Sequence, residues 1–238
     1  MKLTAALILL IAITGCEKSS TKGMSKTDTT KTEFPAGQLS YLALGDSYTI
    51  GEAVAQSSCF PQQLSARLSG QGLKVAAPKI IAKTGWTTNE LQAGIAAEAL
   101  PAKYDIVTLL IGVNNQYRGN SVAVYRAEFK ELLQTAVAFA GGNKKHVFVV
   151  SIPDWGATPF GKQSGRGTES IAKEIDAFNA VNKEETLAAG ISYTDITPGS
   201  KNAATDGSLV ASDGLHPSGN MYKNWVTLLA PSILKAYQ

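Results

Sequence analysis

A serine hydroxyl becomes a useful nucleophile only when a positioned base takes its proton, and that base is most often a histidine steadied by a carboxylate. The sequence holds two histidines, so the search for such a base is short. His146 opens the apolar run His146-Val147-Phe148-Val149-Val150-Ser151 beside Lys144 and Lys145, with no carboxylate near it, and reads as a strand-end residue. His216 lies in the polar stretch Asp213-Gly214-Leu215-His216-Pro217-Ser218, where Asp213 is near enough to accept the Nδ1 proton and fix the useful tautomer. His216 is therefore the candidate base. A Gly-Asp-Ser turn, Gly45-Asp46-Ser47-Tyr48, supplies the candidate serine. Such turns are common and mostly structural, and this one gains weight only from the glycine and asparagine loops lying between it and His216.

These residues need elements to bring them together. Short apolar runs at residues 39–44, 79–82, 105–111, 146–151 and 191–196 read as strands, and 105–111 is apolar nearly throughout, as a strand covered on both faces should be. Amphipathic stretches at about 61–68, 88–100, 122–140, 168–189 and 217–237 read as helices; in the third, Tyr125, Phe129, Leu132, Leu133 and Val137 recur at helical spacing. Strand and helix in alternation predict right-handed crossovers and a three-layer α/β/α domain around a five-stranded, mainly parallel sheet. In open sheets of this kind ligands bind past the carboxyl ends of the strands. Those positions carry Gly45-Asp46-Ser47, Thr84-Gly85-Trp86, Gly112-Val113-Asn114-Asn115 and Ser151-Ile152-Pro153-Asp154.

Four ordered blocks, Gly45-Asp46-Ser47-Tyr48, Gly85, Gly112-Val113-Asn114 and Asp213-Gly214-Leu215-His216-Pro217, resemble those of the SGNH hydrolases, also called the GDSL esterase/lipase family. The resemblance runs from about residue 41 to the end of the chain. It implies the flavodoxin-like fold of that family and a serine esterase working through an acyl-enzyme. Ser47 would be the nucleophile, His216 the general base and Asp213 the group orienting the imidazole. The oxyanion would be held by the backbone N–H groups of Ser47 and Gly85 and by the Asn114 side-chain amide. The third block often ends in Asn-Asp and here reads Asn114-Asn115, a change in a supporting residue and not in an oxyanion donor. The stretch through Asn115-Gln116-Tyr117-Arg118-Gly119 looks like the Asn-Asp-x-x-Arg-Gly segment of the lysophospholipase/thioesterase/arylesterase branch, which points to short or medium acyl esters and lysolipids. Trp86, Tyr117, Arg118, Trp155 and Phe160 are expected near the serine as substrate walls, although Trp86 and Trp155 fit equally well as loop anchors.

Other designs fit less well. No Gly-x-Ser-x-Gly elbow occurs, and Ser170-Ile171-Ala172-Lys173, which matches a Ser-x-x-Lys pattern, sits mid-helix without companions and reads as a solvated face. A carbohydrate O-acetyl esterase with the same triad is the rival enzyme. A lipoprotein that binds a ligand in the same cleft without catalysis is the rival from another class, and a site kept for binding alone has no need of Ser47, His216, Asp213, Gly85 and Asn114 together.

The chain has 238 residues, 44% hydrophobic and 17% charged, which suits one α/β domain and excludes disorder, collagen and disulfide scaffolds. Its 22 Lys+Arg against 19 Asp+Glu give a net charge of +3, and Lys2, Lys18, Lys22, Lys26 and Lys31 concentrate the excess near the N-terminus. No nucleic-acid partner is expected. With no CxxC, no HExxH and no calcium-type acidic loop, no metal and no cofactor are expected. Met1-Lys2 and the apolar run to Ile13 have the character of a secretory signal, and Ile13-Thr14-Gly15-Cys16 resembles the lipobox of bacterial lipoproteins, in which the cysteine is acylated. The expected organisation is a signal at residues 1–15, a Ser/Thr/Lys-rich flexible tether at 16–37 and the hydrolase domain at 38–238. Lipid on Cys16 would tether the exported protein to a membrane of the cell envelope, on an outer-membrane or periplasmic face. Cys59, alone in the domain, reads as a small buried hydrophobe.

Overall fold

The computed structural model describes residues 37–238, whose apolar runs form five strands: β1 (Tyr41–Gly45), β2 (Lys79–Ala82), β3 (Ile106–Leu110), β4 (Val147–Val150) and β5 (Ser192–Thr194). Every residue of β1, β3 and β4 is buried, which is why these segments lack the apolar/polar alternation of a strand with one wet face. All neighbouring strands pair in parallel, in the order β2-β1-β3-β4-β5. The expectations for the signal, Cys16 and residues 16–36 of the tether lie outside the described residues.

The helices are α1 (Ser47–Ile50), α2 (Phe60–Gly70), α3 (Thr88–Ala96), α4 (Val113–Tyr117), α5 (Val122–Phe139), α6 (Pro159–Gln163), α7 (Thr168–Ala188), α8 (Thr197–Ser200) and α9 (Gly219–Ala236). From β1 the chain steps outward to β2, then crosses back to β3 and continues to β5. With right-handed crossovers this puts α2 on one face of the sheet and α3, α5 and α7 on the other. Packing follows that division: α2 lies against α9, and α5 against α3 and α7. Each layer has an aromatic centre, Phe60, Tyr222 and Trp225 in the first and Tyr125, Phe129 and Phe178 in the second. The apolar stripe of α5 that enters the core is Tyr125, Phe129, Leu132, Leu133 and Ala136.

Local chemistry sets the helix ends. Ser121 and Ser218 cap α5 and α9 by accepting from Val124 N and Met221 N, and Thr87 with Glu90 forms a capping box at α3. Several boundaries differ from the sequence expectation, among them the end of α3 and the start of β1. The helix expected to reach residue 100 stops at Ala96, with Ala97 as its C-cap. The first strand starts at Tyr41, and Leu39 instead forms an isolated bridge with Val75.

The strand order reverses between β1 and β3, which pair along their whole length from Tyr41↔Ile106 to Gly45↔Leu110. Such a reversal opens a crevice at the carboxyl ends of those two strands. Ser47 follows β1 and Asn114 follows β3, so both emerge there.

Candidate active site

Ser47 is the first residue of α1, directly after Asp46, whose side chain caps the helix by accepting from Tyr48 N at 3.0 Å. The first N–H of a helix has no intrahelical acceptor, so the Ser47 amide is left for another partner. The turn from β1 into α1 passes so close to β3 that a Cβ on Gly45 would stand 2.5 Å from the Leu110 carbonyl oxygen. Only glycine fits there.

His216 comes from a loop that closes on itself: Ala211 N donates to His216 O at 2.7 Å and Ser218 N to Leu209 O at 2.9 Å. Asp213 occupies its bend. One carboxylate oxygen accepts from the N–H groups of Leu215 and His216, both at 2.9 Å, and the other lies 2.5 Å from His216 Nδ1. Burial pushes the Asp213 carboxyl up, but the bonds from His216 and these two N–H groups outweigh it and hold the group below its ordinary range. An ionised carboxylate only accepts, so Nδ1 carries the proton and Nε2 is left as the basic nitrogen. The Tyr48 ring stands edge-on to the imidazole with centroids 5.7 Å apart.

Ser47 and His216 line one cavity of about 220 Å³ together with Tyr48, Thr84, Gly85, Val113, Asn114, Tyr117, Trp155, Phe160 and Leu215. Asn114 belongs to α4 and donates one amide hydrogen to Trp86 O at 2.9 Å. That bond fixes which way the amide faces and leaves the second hydrogen unspent. Gly85 has φ +85°, the left-handed conformation, while a Cβ there would meet nothing closer than Arg118 Nη2 at 3.7 Å. Glycine is needed at 85 for its backbone conformation.

Of the expected walls, Tyr117 and Trp155 reach the cavity, as does Phe160, whereas Trp86 and Arg118 are absent from its lining. Trp86 packs its six-membered ring onto Gly94 of α3, which corrects its expected role as a wall to that of a loop anchor. Arg118 turns to the Gly85 carbonyl and to Glu90. Trp155 is 2% exposed and is held by a chain of bonds: its Nε1 donates to Gln116 Oε1 at 2.8 Å, and Gln116 Nε2 donates to Glu174, which also pairs with Arg166 at 2.7 Å. The Arg166 guanidinium lies over both the Tyr117 and Trp155 rings. Tyr48, Thr84, Val113 and Leu215 were not singled out from sequence, although each adjoins a residue that was.

The other candidates lie elsewhere. His146 precedes β4, at the opposite edge of the sheet from Ser47, and stacks on Tyr237. Ser170 sits on the exposed side of α7, bonded to Glu174. Cys59 is fully buried, and burial pushes its thiol up. Among the described residues no group of three or more His, Cys, Asp and Glu is placed to hold a metal ion.

The family described as GDSL-like lipase/acylhydrolase matches residues 43–223. No curated protein sequence matches the chain. Among solved structures, the lipase Lip_vut3 from a goat rumen metagenome is similar at a TM-score of 0.65 and 19% identity, over 84% of this chain and 97% of that one. The lipase/acylhydrolase from Enterococcus faecalis is similar at 0.64 and 22% identity, over 82% and 95%. Axe2, an acetylxylan esterase from Geobacillus stearothermophilus, is similar at 0.58 and 17% identity, over 83% and 93%. At these identities the likeness is one of fold.

Proposed function

Because the chain belongs to the GDSL-like lipase/acylhydrolase family and is an ester-bond hydrolase, we propose that it is a serine esterase in which Ser47 is the nucleophile, His216 the general base and Asp213 the residue that orients the imidazole. Ser47 Oγ attacks the ester carbonyl carbon while His216 Nε2 takes the hydroxyl proton. The negative charge passes to the carbonyl oxygen, where the N–H groups of Ser47 and Gly85 and the free amide hydrogen of Asn114 receive it. Collapse of this tetrahedral species expels the alcohol, which leaves with the proton from His216, and the acyl group stays on Ser47. Water then attacks the acyl carbon, again giving a proton to His216. The carboxylic acid departs and the proton returns to Ser47.

The observation that carries this reading is the 2.5 Å pairing of Asp213 with His216 Nδ1 beside a cavity that Ser47 also lines. The cavity's apolar part, Val113, Tyr117, Trp155, Phe160 and Leu215, suits an acyl chain. Its volume of about 220 Å³ lies under the roughly 300 Å³ at which pockets for drug-sized ligands begin, which favours a short acyl group. An acetyl group carried on a glycan, the substrate class named for Axe2, is the second reading supported by the same small volume.

The test is turnover of p-nitrophenyl esters of rising chain length, and of acetylated xylan, by the wild type and the Ser47→Ala and His216→Ala variants. Wild type is expected to prefer acetate or butyrate esters to octanoate, and each variant to lose about a thousandfold or more in kcat. Turnover that survives either substitution rejects the assignment. A decisive preference for acetylated xylan selects the second reading.

A further inference from the structure

Gly85 is the one proposed oxyanion donor that packing does not hold in place. Beyond its own chain neighbours, the one atom within 4 Å of where a side chain would stand is Arg118 Nη2 at 3.7 Å, and glycine alone has the freedom to rotate its amide away from the cavity. The hydrogen bonds of the 83–87 loop set that amide's direction: Trp86 N donates to Lys83 O at 3.2 Å, closing a turn with Thr84 and Gly85 at its centre, and side chains brace the turn from both sides. On the amide side, Thr84 Oγ1 donates to Glu52, just past α1. On the carbonyl side, Arg118 Nη2 donates to Gly85 O at 2.5 Å. The other terminal nitrogen of the same guanidinium, Nη1, pairs with Glu90 Oε1 at 3.0 Å, and Glu90 Oε2 accepts Thr87 N at 2.9 Å in the capping box of α3. Arg118 itself is the C-cap of α4, the helix that carries Asn114. One planar fork therefore ties the Gly85–Trp86 peptide, which follows directly on the peptide that carries the Gly85 N–H, to the start of α3 and to the helix of a second proposed donor.

We propose that Arg118 is a positioning residue for the oxyanion hole: by gripping the Gly85 carbonyl against Glu90 it holds the Gly85 N–H in the direction that a developing oxyanion needs. The inference rests on the serine-esterase reading above and deepens it. Arg118 is exposed, and its ion pair with Glu90 has side chains 47% and 39% accessible, so the pair contributes little to folding stability. Its contribution is to geometry, and in catalysis a misplacement of about 1 Å can cost about a hundredfold. A lysine could not take its place fully, because an ammonium is a point donor without the planar fork that reaches two acceptors in fixed directions.

The experiment measures kcat and KM of the full chain and its Ser47→Ala, Arg118→Ala and Arg118→Lys variants, with neutral p-nitrophenyl acetate and with the anionic p-nitrophenyl hemisuccinate, alongside thermal melts. For Arg118→Ala the expected result is a fall in kcat of about tenfold or more on both esters. KM should stay within about twofold and the melting temperature within a few degrees of wild type. Arg118→Lys is expected to recover part of kcat and not all of it, and should Arg118→Ala fail to fold, a fall in kcat in Arg118→Lys at unchanged KM decides the case. A rise in KM at unchanged kcat, greater for the anionic ester, would overturn the proposal and make Arg118 a substrate-binding group. Wild-type kinetics in the arginine variants while Ser47→Ala is dead would overturn it and leave the serine reading standing. Turnover that persists in Ser47→Ala would overturn both.

Discussion

Two carboxylates near Ser47 are shifted in opposite directions, one by its partners and the other by burial. Asp213 accepts three hydrogen bonds and is held charged. Asp46 has no exposed surface, spends Oδ1 on Tyr48 N and has no partner for Oδ2, so burial pushes its carboxyl up to about 7 against the lowering effect of the Tyr48 N–H and its own backbone N–H. The unfolded chain releases this proton near the ordinary value of about 3.9. Between about pH 4 and 7 the folded protein thus retains a proton that the unfolded chain has lost, and stability falls as pH rises through that window and levels off above it. Asp46→Asn keeps an acceptor for Tyr48 N and removes the titration. The difference in unfolding free energy between pH 5 and pH 7.5 is therefore predicted to shrink in the variant. Denaturant titrations at the two pH values check this, and an unchanged difference would contradict the account of Asp46.

Between elements, the departure of Asn115 from the family's usual aspartate has a physical answer. Asn115 is fully buried; its Oδ1 accepts from Thr88 N at 3.0 Å and its Nδ2 donates to Thr88 Oγ1 at 2.7 Å, joining α4 to the start of α3. The Thr88 hydroxyl passes its own hydrogen to Glu128 on α5. In this chain the Thr88 hydroxyl thus stands between the Asn115 amide, from which it accepts, and the Glu128 carboxylate, to which it donates. Asn115→Asp would set two carboxylates competing for one hydrogen, and is predicted to cost about 1–3 kcal/mol of stability. Adding Glu128→Gln, which supplies a donor, should recover most of that loss; a single variant as stable as wild type would show the network to be wrong. None of this could be read from sequence, because residues 88, 115 and 128 sit in separate elements with no spacing rule to join them. The short helices α1 and α4, which carry Ser47 and Asn114, were equally illegible. Four or five residues hold too few turns to show periodicity, and what forms these helices is the cap and the packing around them.

Across the whole molecule the central strands β1, β3 and β4 were legible, because burial on both faces demands nearly continuous apolar runs such as Ile106–Leu110, and the edge strands β2 and β5 lay within shorter runs of the same kind. The edge at which reactive groups collect followed from the crossover rule. Sequence could not say which side chains turn into the crevice: Tyr117 and Trp155 do, while Trp86 spends itself on Gly94 and Arg118 on Gly85. Compartment is a further question at this scale. We propose that lipid on Cys16 tethers the domain to a membrane of the cell envelope, on the strength of the apolar run ending in Ile13-Thr14-Gly15-Cys16. Metabolic labelling with a fatty acid is expected to mark the wild type and not Cys16→Ser, and equal labelling would remove the anchor. The central claim is that Ser47 is activated by His216 and becomes acylated. The most direct measurement is mass-spectrometric mapping of the adduct formed with a fluorophosphonate. The account predicts one adduct, on Ser47, abolished in Ser47→Ala and formed far more slowly in His216→Ala; an adduct on another residue, or undiminished labelling without His216, would contradict it.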